Sequence, residues 1–380
     1  MADAPALPLA GIRVVELGGS VAAPYAGLIF AELGAKVVKI EKPGKGDDCR
    51  GWGPPFHEGV GTLFKALNRN KQSVTVDLAD PDSRARLRRL IVEEADVLVQ
   101  NMRAGHAEKL GFGADDLLRD NPRLIHASIA AFGKTGPLAQ RPGYDPLMQA
   151  FGGLMGVTGE PGRPPVRIGT SPIDMGAGMW VVIGVLSALL KRAETGKGGV
   201  VGTSLYETAL GWMFYHITAF TGTGEEPKPQ GTGSPFIVPY GAFRTSDGML
   251  IVTAGNNGLF AKLAAVLGHP EWIEDPRFHT NADRVRNRAA MEDAINAAMA
   301  GHGNDHWIAA IEAAGVPCAP IQTVQQVVDH PQTLALNILR QGSDGLGYIG
   351  LPLSFDGLRP ARDATPPALG ADTEAVFGEG

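Results

Sequence analysis

Asp174 stands at the head of "SPIDMGAGMWVVIGVLSALLKR", immediately before the longest apolar run of the chain, Met175 to Leu190. Two roles suit an acid there. One is N-capping, because Asp oxygens accept hydrogen bonds from the first N–H groups of a helix. The other is nucleophilic attack on an acyl carbonyl. An ordinary aspartate, with a pKa of about 3.9, is ionised at neutral pH and needs no general base to attack. Helix N–H groups would hold it ionised, and Gly176 and Gly178 would let a substrate approach the backbone closely. The helix alone favours the cap.

Basic residues form a second set. Lys39 and Lys42 follow in "KIEKPG", Arg69 and Lys71 in "LNRNKQSV", and Arg103 and Lys109 in "NMRAGHAEKLGF". Singly, each reads as a solvated surface charge. Together they fall after strand ends, where open α/β sheets bind ligands, and would suit phosphate. The turn Gly18-Gly19-Ser20-Val21-Ala22 follows one strand, and Glu41 ends the next. This departs from G-x-G-x-x-G, so nicotinamide and flavin are not expected, and no Walker A sequence is present. The histidines make no H-E-x-x-H pair. His302 and His306 are four apart, but Gly303 lies between them, and no metal is assigned.

These residues need a frame. "IRVVEL", "KVVKIEK", "SVTVDL", "DVLVQN" and "LIHASIAAFG" read as strands, alternating with helical segments that include Pro81 to Glu94. The alternation predicts a doubly wound, mostly parallel α/β domain. "TGTGEEPKPQGTG" reads as a linker, and "YGAFRTSDGMLIVTAG" as a hairpin turning at Asp247-Gly248. Helices are expected near 256–267, 281–299 and 304–314. The organisation is a large α/β domain over 1–221, a linker over 222–234, a small α+β domain over 235–320, and a return to the large domain over 321–380. The chain has 380 residues, 44% hydrophobic and 19% charged, enough to build such cores.

The net charge of -6 argues against a nucleic-acid partner. Cys49 and Cys318 make neither a disulfide framework nor a zinc pattern, and a cytoplasmic location is expected. The apolar run is shorter than the ~20 residues of a bilayer span and is broken by glycines. It reads as a buried core helix, with no membrane partner. The start, "MADAPALPLAG", lacks the basic region of a signal peptide.

The ordered blocks are more specific than any of these signals. "GIRVVELGGSVAAPYAGLIFAELGAKVVKIEKPGKGDDCRGWGPPF", "LNRNKQSVTVDL", "DVLVQNMRAG", "GYDPLMQAFGGLM", "PIDMGAGM" and "TGKGGVVGTSLYETAL" resemble the class III CoA-transferases, the formyl-CoA and carnitine-CoA transferase group. The resemblance spans nearly the whole chain. It implies a Rossmann-like large domain, a smaller α+β domain and an interlocked homodimer. It implies acyl-CoA and a free carboxylic acid as substrates, with no permanently bound cofactor. The family's nucleophile falls on Asp174, which would pass through an aspartyl mixed anhydride and an aspartyl-CoA thioester. CoA contacts carry over to Ser20, Val21, Lys42, Asn101, Met102, Lys109 and Leu110; Lys71 and Arg103 join them from the basic clusters. Arg167 is a candidate partner for a second substrate carboxylate.

The family's glycine run at the start of the small domain is replaced here by "GTGSPFIVPYGAF". Two alternatives share the fold: a 2-methylacyl-CoA racemase and a non-catalytic CoA-binding protein. The racemase motif has His where this chain has Tyr144, in Gly143-Tyr144-Asp145. A tyrosine is a poor base at neutral pH, so the transferase is favoured.

Overall fold

The computed structural model describes residues 7–360, 362 and 364–378. The chain forms two compact units. One takes the chain up to Gly152, Gly169–Met213 and the residues from Pro331 on; the other takes Gly153–Ile168 and Phe214–His330. The second unit takes the segment 153–168 and the helix Phe214–Thr223, whereas 153–168 and 214–221 were expected in the large domain and 222–223 in the linker.

The first unit is built on six parallel strands: β1 (Arg13–Leu17), β2 (Lys36–Glu41), β3 (Gln72–Thr75), β4 (Val97–Gln100), β5 (Ile125–Ala130) and β6 (Gly199–Ser204). Their order is β3-β2-β1-β4-β5-β6. Val15 of β1 pairs with Val38 on one side and Leu98 on the other. Strands β1, β2 and β4 are buried almost throughout, as helices on both faces require, which explains their continuous Val/Ile/Leu runs. The edge strand β6 is only partly buried, and Gly199 and Gly202 dilute its β-propensity. That composition explains why it escapes a reading of strands by pattern.

Helix α1 (Ala22–Glu32) follows β1, and α2 (Pro81–Glu94) matches its expected bounds, with Asp80 as its cap on Ser83 N–H at 2.8 Å. Helix α3 (Asp145–Phe151) and the long α4 (Pro172–Thr195) precede α5 (Leu205–Trp212). Helix α4 runs longer than its apolar stretch. It buries Ile173, Ala177, Val181 and Val185, and leaves Met179, Trp180 and Ile183 exposed. Its length and apolarity would suit a membrane span, yet Asp174 and Arg192 lie on its buried side, as in a core helix.

The glycines of α4 serve packing. A Cβ on Gly178 would stand 2.8 Å from the Ala22 carbonyl oxygen of α1, and one on Gly176 would stand 2.9 Å from the Trp212 ring. The expectation that they open the backbone to substrate is thereby corrected: they let helices approach one another.

In the second unit β7 (Tyr240–Arg244) and β8 (Met249–Thr253) form the expected hairpin, and β9 (Cys318–Pro320) pairs antiparallel with β8. Helices Asn257–Val266, Asn281–Arg286, Arg288–Met299 and Asn304–Ala313 close a core that includes Phe243, Val252, Phe260, Met291 and Trp307.

Candidate active site

The strand order reverses between β1 and β4, and a crevice opens beyond their carboxyl ends at such a switch point. Two adjoining cavities occupy it. The larger, about 590 Å³, is lined by the β1–α1 turn, Lys42, Lys45 and Met102. The smaller, about 260 Å³, is lined by Ser20, Asn101, Arg103, Arg141, Tyr144 and Asp174. Gly19, Ser20, Asn101 and Met102 form their shared wall.

That wall is held from two directions. Asn101 accepts from Gly19 N–H at 3.1 Å and donates to Gly19 O at 2.9 Å. A Cβ at Gly18 would meet Asn101 Oδ1 at 2.5 Å, so this clamp requires glycine there. Ser20 adopts a φ of 65°, and its N–H donates to Asp47 at 3.2 Å.

Beneath the turn lies a buried ion cluster. Lys39 Nζ reaches Glu16 at 2.9 Å, Gly18 O at 3.0 Å and Asp47 at 2.9 Å. Lys71 Nζ donates at 2.8 Å to Glu16, Pro24 O and Asn68. Burial depresses both ammonium groups. For Lys39, Glu16 and Asp47 overcome that and lift it above the ordinary lysine value; for Lys71 burial prevails and brings it to about 8.

This corrects part of the proposed phosphate set. Lys39 and Lys71 have no exposed side-chain surface, and Arg69 is spent on Glu32 and the Ala66 and Ile349 carbonyls. Each neutralises a buried acid, and an unpaired buried carboxylate would be costly. Glu41 likewise turns inward to Arg50, Ser73 and Asp47 N–H. The other candidates divide. Ser20, Asn101 and Met102 line both cavities, Lys42 the larger and Arg103 the smaller. Val21 is buried behind the turn, and Lys109 and Leu110 end a short helix outside both linings. Arg167 is exposed in the second unit and lines neither cavity.

Asp174 does not cap its helix. It is the third residue of α4; Ser171 occupies the cap position and makes no side-chain cap bond. The cap comes from α3 instead: Asp145 Oδ2 accepts from Ile173 N–H at 2.8 Å and Asp174 N–H at 3.1 Å. Among the described residues the Asp174 carboxyl accepts no hydrogen bond, and it is 8% exposed, at the smaller cavity. Burial, and then the charge of Asp145, push it up to about 7. The expectation that helix N–H groups would hold it firmly ionised is overturned, because Asp145 takes them.

Pattern reading left Asp145 unassigned. Its traces in the sequence are Pro146 behind it, marking a helix start, and Gln149 one turn on, which donates to Asp145 Oδ1. The cavity also offers the guanidinium of Arg141, which lies outside the basic clusters. As for metals, His57, Glu58 and Asp344 bring ligand atoms within 4.8 Å of one another, but the Lys65 ammonium already serves both carboxylates.

Residues 9–373 match CoA-transferase family III. The chain is 38% identical over 351 residues to acetyl-CoA:oxalate CoA-transferase of Acetobacter aceti, covering 92% of this chain and 90% of that one. It is 34% identical over 376 residues to succinyl-CoA:glutarate CoA-transferase of Mus musculus, covering 98% and 86%. Among solved structures, a CAIB/BAIF family protein from Brucella suis superposes with a TM-score of 0.86 at 38% identity, over 97% of this chain and 98% of that one. Rv3272 of Mycobacterium tuberculosis gives 0.88 at 32% identity, over 98% and 100%. With a switch-point crevice, a buried carboxyl at its wall and likeness along nearly its whole length, the chain belongs to CoA-transferase family III and is a class III CoA-transferase.

Proposed function

We propose that the enzyme moves CoA from an acyl-CoA to a short dicarboxylic acid through covalent intermediates on Asp174. The observation that carries this reading is the Asp174 carboxyl, standing at the cavity with no hydrogen bond from the described residues to restrain it. Asp174 attacks the thioester carbonyl and CoA leaves as thiolate, forming a mixed anhydride. The thiolate attacks the aspartyl carbonyl and frees the donor acid, leaving an aspartyl-CoA thioester. The acceptor carboxylate attacks that thioester and again expels thiolate. The thiolate then takes the acceptor's acyl group and restores Asp174. Each step exchanges one acyl bond for another, so no redox partner or water is required.

The cavity pair suits an elongated substrate, with the CoA nucleotide in the larger space beside Lys42 and the thioester in the smaller beside Asp174. Helix α1 starts on this wall, at Ala22, without a side-chain cap, and its first N–H groups are our candidates for stabilising the oxyanion. Arg103 and Arg141 supply positive charge for the acceptor's second carboxylate. The names of relatives, which specify oxalate, glutarate, D-citramalate and mesaconate, point to the same acid class.

We further propose a homodimer in the cytosol. Its support is the exposed apolar face of α4, with Met179, Trp180 and Ile183, which a second copy would cover. Sedimentation at the mass of a single chain would remove this part.

Asp174→Ala tests the central reading. With acyl-CoAs and a panel of mono- and dicarboxylic acids, the native enzyme is expected to yield new thioesters by mass spectrometry, and an adduct on the Asp174 peptide. The variant should lose both while keeping its circular dichroism. Retained transfer refutes the mechanism. Loss of α-deuterium from a 2-methylacyl-CoA without any acceptor acid would move the assignment to a racemase.

A further inference from the structure

We infer that Asp145 is a positioning residue that sets the nucleophilic strength of Asp174, by taking the helix-start N–H donors for itself and standing as a second negative charge beside it. The inference rests on Asp174 being the nucleophile.

A helix start presents N–H groups that no earlier carbonyl satisfies. An acid placed among them is stabilised as the anion and becomes a weaker base and nucleophile. In α4 the donors from Pro172 to Met175 are accounted for. Pro172 has none. Ile173 and Asp174 donate to Asp145 Oδ2 at 2.8 and 3.1 Å, and Met175 N–H returns to Ser171 O at 3.0 Å. None of these three N–H groups is left for the Asp174 side chain. Asp145 is itself fixed in place, since it is 2% exposed and Gln149 donates to its other oxygen.

The consequence is chemical. An Asp174 carboxylate deprived of donors and repelled by Asp145 is more basic than an ordinary aspartate, and its attack on a thioester is faster once it is ionised. Acylation removes its charge, so the repulsion is relieved in both the anhydride and the aspartyl thioester. Asp145 therefore favours the covalent states over the free carboxylate without touching the substrate.

Other titratable groups lie around the start of α4. Arg103, Arg141 and Tyr144 line the cavity, Tyr25 of α1 packs against Gly178, and Glu207 of α5 is bonded to Ser204. None of them takes the α4 N–H groups.

The test is the pH dependence of adduct formation on Asp174. Full-length enzyme is mixed with succinyl-CoA, quenched on the millisecond-to-second scale, and the modified peptide is quantified between pH 5 and 9. The native rate is expected to fall about tenfold per pH unit below a midpoint near neutrality. In Asp145→Asn the midpoint should drop by about one pH unit or more, and the high-pH plateau by about tenfold. Asp145→Glu should return the midpoint toward the native value. Asp145→Ser, a neutral acceptor for the same N–H groups, replaces the Asn variant if that variant fails to fold.

A purely structural cap would lower the melting temperature and the plateau but leave the midpoint in place, and that result overturns the inference while sparing Asp174. No adduct at all on Asp174 in the native enzyme overturns the nucleophile reading itself.

Discussion

Replacing Asp174 by Asn removes a charge that the folded chain disfavours, so the variant should be more stable than the native protein, and increasingly so as pH rises. The native carboxyl moves from 3.8 to about 7, because it is buried and faces Asp145. That rise corresponds to about 4 kcal/mol of penalty on the ionised form, at about 1.36 kcal/mol per pH unit. A raised pKa means that the native state holds the proton more tightly than the unfolded state. Below 3.8 both states are protonated and there is no penalty. Between 3.8 and about 7 the unfolded chain releases the proton first and the native state loses stability; above that window the loss is constant. Asn carries no such cost. Its advantage should therefore grow by about 2–3 kcal/mol between pH 5 and pH 8. Urea unfolding of both proteins at the two pH values, followed by Trp fluorescence, measures it. A difference that stays flat with pH refutes the reasoning, since burial of an ionisable carboxyl beside Asp145 has no other signature of that sign. The prediction tests the electrostatics of the site independently of catalysis.

Three further substitutions probe the frame. Asn101→Ala leaves Gly19 N–H unpaired and should cost about 1–2 kcal/mol of stability, while raising the KM for acyl-CoA about tenfold in steady-state assays. Lys71→Met strips Glu16 of one of its two cations and should cost about 3 kcal/mol by denaturant titration, with an unchanged KM for acyl-CoA in the folded fraction; a selective rise in that KM would restore Lys71 as a phosphate ligand. Gly178→Ala forces a methyl toward the Ala22 carbonyl, and should lower stability by about 1–3 kcal/mol and slow transfer by displacing α4 from α1.

Much of the molecule is legible in its local chemistry. Val and Ile runs buried on both faces announce β1, β2 and β4, and Asp80-Pro81 announces α2, because these choices satisfy backbone geometry within a few residues. The glycine-diluted β6 and the boundaries of the second unit are not local in that sense. Strand β6 is a strand because β5 offers it an edge, and 153–168 joins the second unit through contacts with residues distant in the chain.

The site divides along the same line. The residues by themselves mark Asp174 as chemically usable, since an acid before an apolar helix carries that meaning locally, while the β1–α1 turn is marked as ligand-facing by the family resemblance. Only the tertiary structure decided which charges remain free. Lys39, Lys71 and Arg69 share their residue type with Lys42 and Arg103, but the fold sets the first three against Glu16 and Glu32 in the interior and leaves the other two at the crevice. It also decided that Asp145, from a separate helix, caps α4 in place of Asp174. The physical reason is that burial and pairing determine what a charge can do, and both depend on residues that the chain brings together only when it folds.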